Sequence, residues 1–572
     1  MPARLKHWPL VVLLLSLLIL SACSDDDNDS ATTEAPASLS LIGRYAENQV
    51  LDEGRSEIVS YHSTSQSILV INADDNSVDI IDASTLTSTV LTSPLTASNL
   101  TLRSQLDVAA DVTAITAGGI NSVAVHDDLV AVAVENDDKQ ANGVIAFYSL
   151  DSDGAATFIK TVAAGALPDN VVFSPDGAYA LSANEGEPSD DYTNDPEGTV
   201  TIVAINGGIP ADSATQITFA ADDCDANVRI SGPTGTTVAQ DLEPEYITVS
   251  ADSTTAYVSL QENNAIAVIT LASGTVEQVY GLTVKDHSID GNGLDASNKD
   301  DMINIQTYAH LYGMPMPDTV ANFTLDGSRY LLTANEGDSR EYFFAVADEA
   351  ACTAAGGLAY DADDGCLSWS DEARVEDLLL DGVVFSDSTI QNEENLGRLK
   401  VVTTEGDNDD DGDYDELYSF GTRSFSIWNA DSGELIYDSG DDFEQITAGQ
   451  LGYDGFNNDN AENKGDSRSD DKGPEPEALT IGEVKGHRYA FIGLERTGGI
   501  MLYNIDDPTA PEFVEYVLNR DLSVDVEADL ESAGDLGPEG MAFVSATDSP
   551  TGNALLIVGN EVSGTTTVYE VK

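Results

Sequence analysis

The sequence predicts an all-β fold, a seven-bladed β-propeller closed by an N-terminal strand, with a large mixed insertion in the fifth blade. A repeated phrase, its propeller-like length and a further strand after each copy predict it. The phrase is an acidic or amide residue, often after proline, then an alternating apolar run, a tight turn, and a second run ending in Glu or Asn. Copies start at Glu57, Asn121, Asp169, Glu245, Asp318, Glu477 and Glu539, and are clearest over 167–186, 315–337 and 474–498. Paired short strands recurring in this way mark radial β-sheet repetition, in which each sheet buries its faces against its neighbours.

The chain opens on a targeting segment. Arg4 and Lys6 precede an apolar run over 9–20 that is shorter than the roughly 20 residues a membrane-spanning helix needs. Leu20-Ser21-Ala22-Cys23 then resembles a bacterial lipobox, so residues 1–22 are expected to be a lipoprotein signal and Cys23 the lipidated first residue. The alternative is an ordinary secretory signal. Ser24 after the cysteine points to the outer membrane under the usual sorting rule. Residues 23–38, polar and acidic, read as a disordered tether. Each buried CH₂ of the acyl chains contributes about 0.8 kcal/mol, so several chains anchor permanently. Cys23→Ser is therefore expected to move the protein from the detergent phase to the aqueous phase, and unchanged partitioning would refute the anchor.

The propeller is assigned to 39–572. In the third copy, 171–173 and 179–181 flank a turn at Pro175-Asp176-Gly177. Third strands are expected at 199–205, 265–271, 500–505 and 565–571, and fourth strands at 157–162, 276–284 and 512–517. The last sheet lacks a fourth strand at the C-terminus, and 40–46 is the segment expected to supply it. The largest insertion, about 338–422, lies between the second and third strands of the fifth sheet. It is expected to hold a short helix with Ser370 as N-cap, Asp371 and Glu372 in its first turn and Gly382 as its stop. A second polar insertion covers 453–473.

The net charge of −77 becomes −79 once the signal, with two basic residues and no acidic one, is removed. Self-repulsion of this size is tolerable where salt screens it over about 8 Å, which suits a halotolerant surface and excludes nucleic acid as a partner. Cys352 and Cys366 would close a loop of about 15 residues as a disulfide, worth about 3 kcal/mol in the loop-entropy model, leaving Cys224 free. Only six histidines occur, which disfavours a zinc site or a His-driven triad.

In a propeller of this strand order the starts of the first strands and the ends of the second converge at one mouth of the channel. That gathers Glu57, Asp169, Glu245, Asp318, Glu477 and Glu539 with Glu135, Glu185, Glu262, Glu336, Glu495 and Glu561. Crowded carboxylates cannot all ionise without cations, and Ca²⁺ suits oxygen-only ligands in flexible geometry. The other reading is that these acids cap strands, blade by blade. Residues 407–416 open as a calcium loop does, with Asp407, Asp409, Asp411, Asp413, Asp415 and Glu416 as ligands, although Tyr418 stands where an EF-hand has glutamate. The tetrapeptide GDSR occurs at 337–340 and 465–468. Arg340, Arg468, Lys472 and Arg496 can hold a phosphate or simply neutralise neighbouring acids.

The phrases LSANEGE, TANEGDSREY, DSRSDDKGPEPEAL, GLERTGGI and GNEVSGTTTVYEV resemble those of bacterial choice-of-anchor I proteins and the related mesenchyme-specific cell surface glycoprotein family, over most of 40–572. The resemblance implies a seven-bladed propeller displayed outside the cell. It also implies a link to calcium carbonate mineral in animal relatives and to alkaline phosphatases in some bacterial ones; the histidine-rich metal set of the usual alkaline phosphatases has no counterpart here. The leading expectation is a lipid-anchored, calcium-binding, non-catalytic module that meets a mineral, polysaccharide or protein partner. The rival is a calcium-dependent phosphoesterase acting on a phosphate ester through Glu336, Asp338, Arg340, Glu477, Arg496 and Glu561.

Overall fold

A computed structural model describes residues 35–572, whose compact unit runs Ala37–Lys572. The signal, Cys23 and most of the tether lie outside the described residues. No helix among the described residues is long and apolar enough to cross a membrane.

The fold is all-β, of β-propeller type. Six four-stranded antiparallel sheets and one five-stranded sheet carry the repeats. Their first strands are Val59–His62, Ala117–His126, Pro168–Phe173, Pro244–Val249, Val320–Leu325, Pro476–Val484 and Pro538–Val544. Each packs against the first strand of the next sheet, and the last packs against the first. The sheet beginning at Pro538 has Leu39–Tyr45 as its outermost strand, paired antiparallel to Thr565–Val571.

The core lies between sheets, as a sheet buried on both faces requires. Leu181, Val200, Ile247, Val258 and Ala267, from two neighbouring sheets, form one such layer. The asparagine that recurs at the end of the second strands has a structural role. The Asn184 side-chain amide donates to the Thr199 carbonyl at 2.9 Å, and the Asn560 amide donates to the Thr565 carbonyl at 2.9 Å. These fully buried polar groups are satisfied within their own sheet, which offsets their desolvation.

Two smaller sheets belong to insertions. One joins Lys285–Asp286, Leu311–Met314, Leu417–Phe420, Lys400–Val402 and Glu372–Arg374; the other joins Glu341–Phe344, Gly365–Ser370 and Ala359–Asp361. Cys352 and Cys366 are bonded, with an S–S distance of 2.05 Å. The helix expected after Ser370 is absent: Gly365–Ser370 and Glu372–Arg374 are strands, followed by a 3-10 turn at Val375–Asp377. Asp371 is fully buried and its carboxylate accepts from the Arg340 backbone N–H and the Arg229 guanidinium. That anchoring, with Glu372–Arg374 laddered to Lys400–Val402, holds the chain extended against its local N-cap pattern. A helix of the insertion does form earlier, at Glu349–Ala355, with Asp348 capping Ala351 N–H and Gly356 left-handed at its end.

Candidate functional site

The Pro-acid pairs set the direction of the channel carboxylates. Pro168 is registered with Asn184, but the next pair is Val171 with Ser182, so one extra residue is accommodated where Asp169 and Asn170 lie. The same shift follows Pro244, Pro476 and Pro538. A bulge re-aims side chains, and proline is tolerated there because the first strand is an edge strand whose N–H needs no ladder partner. The acid after each proline thus turns toward the axis. Asn121, Asp169, Glu245, Asp318, Glu477 and Glu539 line one cavity of about 80 Å³.

Second-strand ends add the other acids. Carboxylate oxygens of Asp169, Glu185 and Glu245 all lie within 4.8 Å of one another, and so do those of Asp318, Glu336 and Glu477. Burial first, then the neighbouring carboxylates, push these groups upward. Asp169 rises to about 7 and Glu57 to about 9, and Glu185, Glu245, Asp318, Glu477 and Glu539 stand well above the usual carboxylate range. One oxygen each of Glu477, Glu539 and Glu262 is buried without a hydrogen-bond partner among the described residues.

The mouth is asymmetric in charge. On one side, Lys472 donates to Glu336 at 2.7 Å and lies 3.4 Å from Glu475, and Arg468 and Arg496 reach Glu475 at 2.7 and 3.1 Å. Burial would raise Glu475, but Lys472, Arg468 and Arg496 outweigh it and hold that carboxyl at about 2. On the other side, the strongest charges acting on Glu185 and Glu245 are all carboxylates.

Of the residues of the phosphoesterase expectation, Arg340 is held by partners outside that set. Arg340 is buried and its guanidinium donates to Glu243, to the Asp241 carbonyl at 2.8 Å and to Ser231 Oγ at 2.9 Å. Asp338 is exposed, 3.8 Å from Lys472. Glu336, Glu477, Arg496 and Glu561 do sit at the mouth, where Arg496 and Glu336 act on Glu561.

The Asp-rich loop splits into two groups. Asp407, Asp409 and Asp415 have oxygens within 4.8 Å of one another, whereas Asp413 and Asp415 approach Asp381 within the same limit. Asp411 accepts the Asp413 backbone N–H at 3.2 Å, and Glu416 accepts the Tyr418 hydroxyl at 2.8 Å, away from the loop's centre. Sequence reasoning missed Glu475 and Glu243, the fully buried partners of the singled-out arginines. The doubled Pro-Glu at 474–477 was the available signal for Glu475.

A propeller-type scaffold with a polyanionic channel mouth is the class of protein that this geometry defines. The chain belongs to the choice-of-anchor I domain family, whose model matches residues 57–508. It is 33% identical over 194 residues to Gigasin-3a of Magallana gigas, covering 32% of this chain and 67% of that one. It is 31% identical over 293 residues to the mesenchyme-specific cell surface glycoprotein of Strongylocentrotus purpuratus, covering 48% of this chain and 36% of that one. The chain thus spans about two thirds of the first relative and about a third of the second. Similar solved structures include Kuenenia stuttgartiensis hydrazine synthase (TM-score 0.42, 12% identity, 91% of this chain and 96% of that one). Another is the β-propeller domain of Myceliophteria thermophila Cps50 (Swd1), with a TM-score of 0.39, 9% identity, and coverage of 92% of this chain and 100% of that one.

Proposed function

We propose that this chain is a seven-bladed propeller closed by Leu39–Tyr45, lipid-anchored through Cys23 outside the cell at the outer membrane, and that it acts as a non-catalytic surface module. In this reading the channel mouth binds Ca²⁺ and the acidic face meets a mineral, polysaccharide or protein partner. A relative named a cell surface glycoprotein supports the location. The cyclic packing of the first strands supports the blade count.

The observation that carries the metal reading is the Asp169, Glu185 and Glu245 triad. Ca²⁺ takes oxygen ligands at about 2.3–2.6 Å, so two ligands of one ion lie at most about 5 Å apart. The triad meets that limit, offers oxygen only, and has no cation among the strongest charges on Glu185 and Glu245. The group at Asp407, Asp409 and Asp415, with Asp409 exposed, is a weaker second position, because solvent already screens part of it. No observation favours the phosphoesterase, since the Arg340 guanidinium is held by Glu243, Ser231 and the Asp241 carbonyl.

The test is melting in chelator and in Ca²⁺ at two pH values. An acid whose folded pKa is raised gives its full contribution below the unfolded pKa of about 4 and loses it as pH rises to the folded value. With Asp169 at about 7 and Glu57 at about 9, the chelated protein is expected to melt several degrees lower at pH 9 than at pH 5. Ca²⁺ at a hundred times its dissociation constant adds about 2.7 kcal/mol and should restore most of the loss. Glu185→Gln with Glu245→Gln should abolish calorimetric Ca²⁺ binding at the mouth and flatten the pH dependence, while Asp409→Asn with Asp411→Asn should leave both in place. Unchanged Ca²⁺ binding in the first pair overturns the channel reading.

A further inference from the structure

The seam where the first and last sheets meet holds a cavity of about 150 Å³. The last sheet contributes Tyr45, from its closing strand Leu39–Tyr45, and Gly564, from the turn before Thr565–Val571. The first sheet contributes Asn72, Asp79 and Gln105, from three consecutive strands at Ser67–Asn72, Ser77–Asp82 and Thr101–Leu106. Asp79 stands opposite Gln105 in the ladder, so strand register sets a carboxylate beside an amide. Arg55, Asp75 and Leu102 also line the cavity. Gly564 has a φ of +62°, and a Cβ there would stand 3.1 Å from Arg55 Cβ. Glycine thus permits both the left-handed turn and the close approach of Arg55.

The floor of the cavity is buried and its rim is open. Asn72 is 2% and Asp79 6% exposed, whereas Leu102 and Gln105 are exposed side chains. Two amides bridge two carboxylates. Asn72 Nδ2 donates to Asp79 at 3.3 Å and to Asp75 at 3.4 Å, and Gln105 Nε2 donates to Asp79 at 3.0 Å and to Asp75 at 3.3 Å. An ionised carboxylate has about four lone-pair sites, so both keep acceptor capacity. On the donor side, Arg55 turns its terminal nitrogens to Asp74 and, at 3.6 Å, to Asp75, while its Nε is buried without a hydrogen-bond partner among the described residues. Burial, and then Asp79 and Glu47, push the Tyr45 hydroxyl up to about 12, so it stays protonated. Acceptors and donors with spare capacity therefore line the same small space.

We infer that this seam cavity binds one neutral sugar ring, free or at the end of a glycan chain. Each sugar hydroxyl donates one hydrogen bond and can accept two, and a wall that mixes Asp75, Asp79 and Gln105 with Arg55 and Tyr45 meets both needs. A cavity of about 150 Å³ takes a single six-membered ring, and the Tyr45 ring and Leu102 offer its C–H face an apolar wall. Other ligand classes fit worse. An anion would meet Glu47, Asp75 and Asp79. A wholly apolar ligand would strip water from the polar floor and return no hydrogen bond. A metal ion would face the Arg55 guanidinium, and no set of three described acids with oxygens within 4.8 Å of one another includes Asp75 or Asp79. The cavity shares no lining residue with the channel carboxylates and does not rest on Ca²⁺ binding there.

The test is saturation-transfer NMR on the full chain, with glucose, galactose, mannose and N-acetylglucosamine as separate probes, each also as its methyl glycoside, and lysine as a cationic probe. At least one sugar should take up magnetisation from the protein. A response from the glycoside as well assigns the end of a glycan chain, and one from the free sugar only assigns a monosaccharide. Leu102→Ala with Gln105→Ala, both at the exposed rim, should leave the melting temperature unchanged and weaken the response several-fold. Glu185→Gln with Glu245→Gln, or added chelator, should leave the response in place. Should the rim variant fold poorly, wild-type crystals soaked in the responding sugar give a second readout, density for the ring between Tyr45 and Gln105. No response from any sugar, a response from lysine alone, an undiminished response in the folded rim variant, or density elsewhere with none here overturns the inference.

Discussion

Deleting residues 39–45 is expected to leave a chain that no longer melts cooperatively, while deleting 24–34 should leave the melting temperature unchanged. The strand is registered from Leu39 opposite Val571 to Tyr45 opposite Thr566, and its two faces enter different layers. Ile42 and Tyr45 pack with Ile81, Leu100, Ile557 and Val568, whereas Leu41 packs with Phe491, Leu556 and Tyr569. Burying each such side chain contributes about 1.5–3 kcal/mol. Arg44 adds a buried pair, with Nε 2.6 Å from Asp535 and a second donor 3.0 Å from the Gly534 carbonyl. Removing one partner of a buried pair costs about 3–5 kcal/mol, and the sum approaches the whole stability of about 5–15 kcal/mol typical of folded proteins. Arg44→Met isolates the ionic part and should lower stability by about 3 kcal/mol. The control deletion stops at 34 because Ala37 is buried and Ser38 exchanges backbone hydrogen bonds with Lys572. Equal melting temperatures for the two deletions would contradict closure by this strand.

Glu475→Gln is expected to destabilise the protein by about 3 kcal/mol at pH 7, more than any other single change at the channel mouth. Glu475 is fully buried and takes three cations, so its loss leaves Arg468, Lys472 and Arg496 facing one another. Glu336 and Glu495 remain to hold Lys472 and Arg496 at 2.7 and 3.1 Å, which keeps the effect at the lower end. The carboxyl is depressed to about 2 from an ordinary 4.5. Its contribution is therefore present above pH 4.5 and is lost as pH falls through 2. Urea unfolding of wild type and variant should differ most at neutral pH and converge toward pH 2. A difference under about 1 kcal/mol at pH 7, or one that does not change with pH, would mean that the three cations are held by other groups.

These two positions differ in how far they could be read from residues. The strand at 39–45 is legible as a strand from its apolar residues, and the structure pairs it with Thr565–Val571. Glu475 stands two residues before a carboxylate that the repeat does identify. Nothing local says that its neighbours Arg468 and Lys472, together with Arg496 from the following hairpin, turn back onto it. The helix expected after Ser370 shows the reverse case: the cap and acidic first turn are present, yet burial of Asp371 against Arg229 holds the segment extended.

What the sequence by itself determined is periodic and local. Pro-acid pairs before alternating apolar runs set where the first strands at Pro168, Pro244, Pro476 and Pro538 start and that a carboxylate sits there, because proline, bulge and strand period act within a few residues. Only the tertiary structure decided which carboxylates share a site. Asp169, Glu185 and Glu245 come from adjacent sheets. It also decided that Arg468, Lys472 and Arg496 gather on Glu475 at one side of the mouth. Electrostatic and hydrogen-bond energies depend on distance in space and on burial, and neither is encoded in spacing along the chain once segments far apart in sequence are brought into contact.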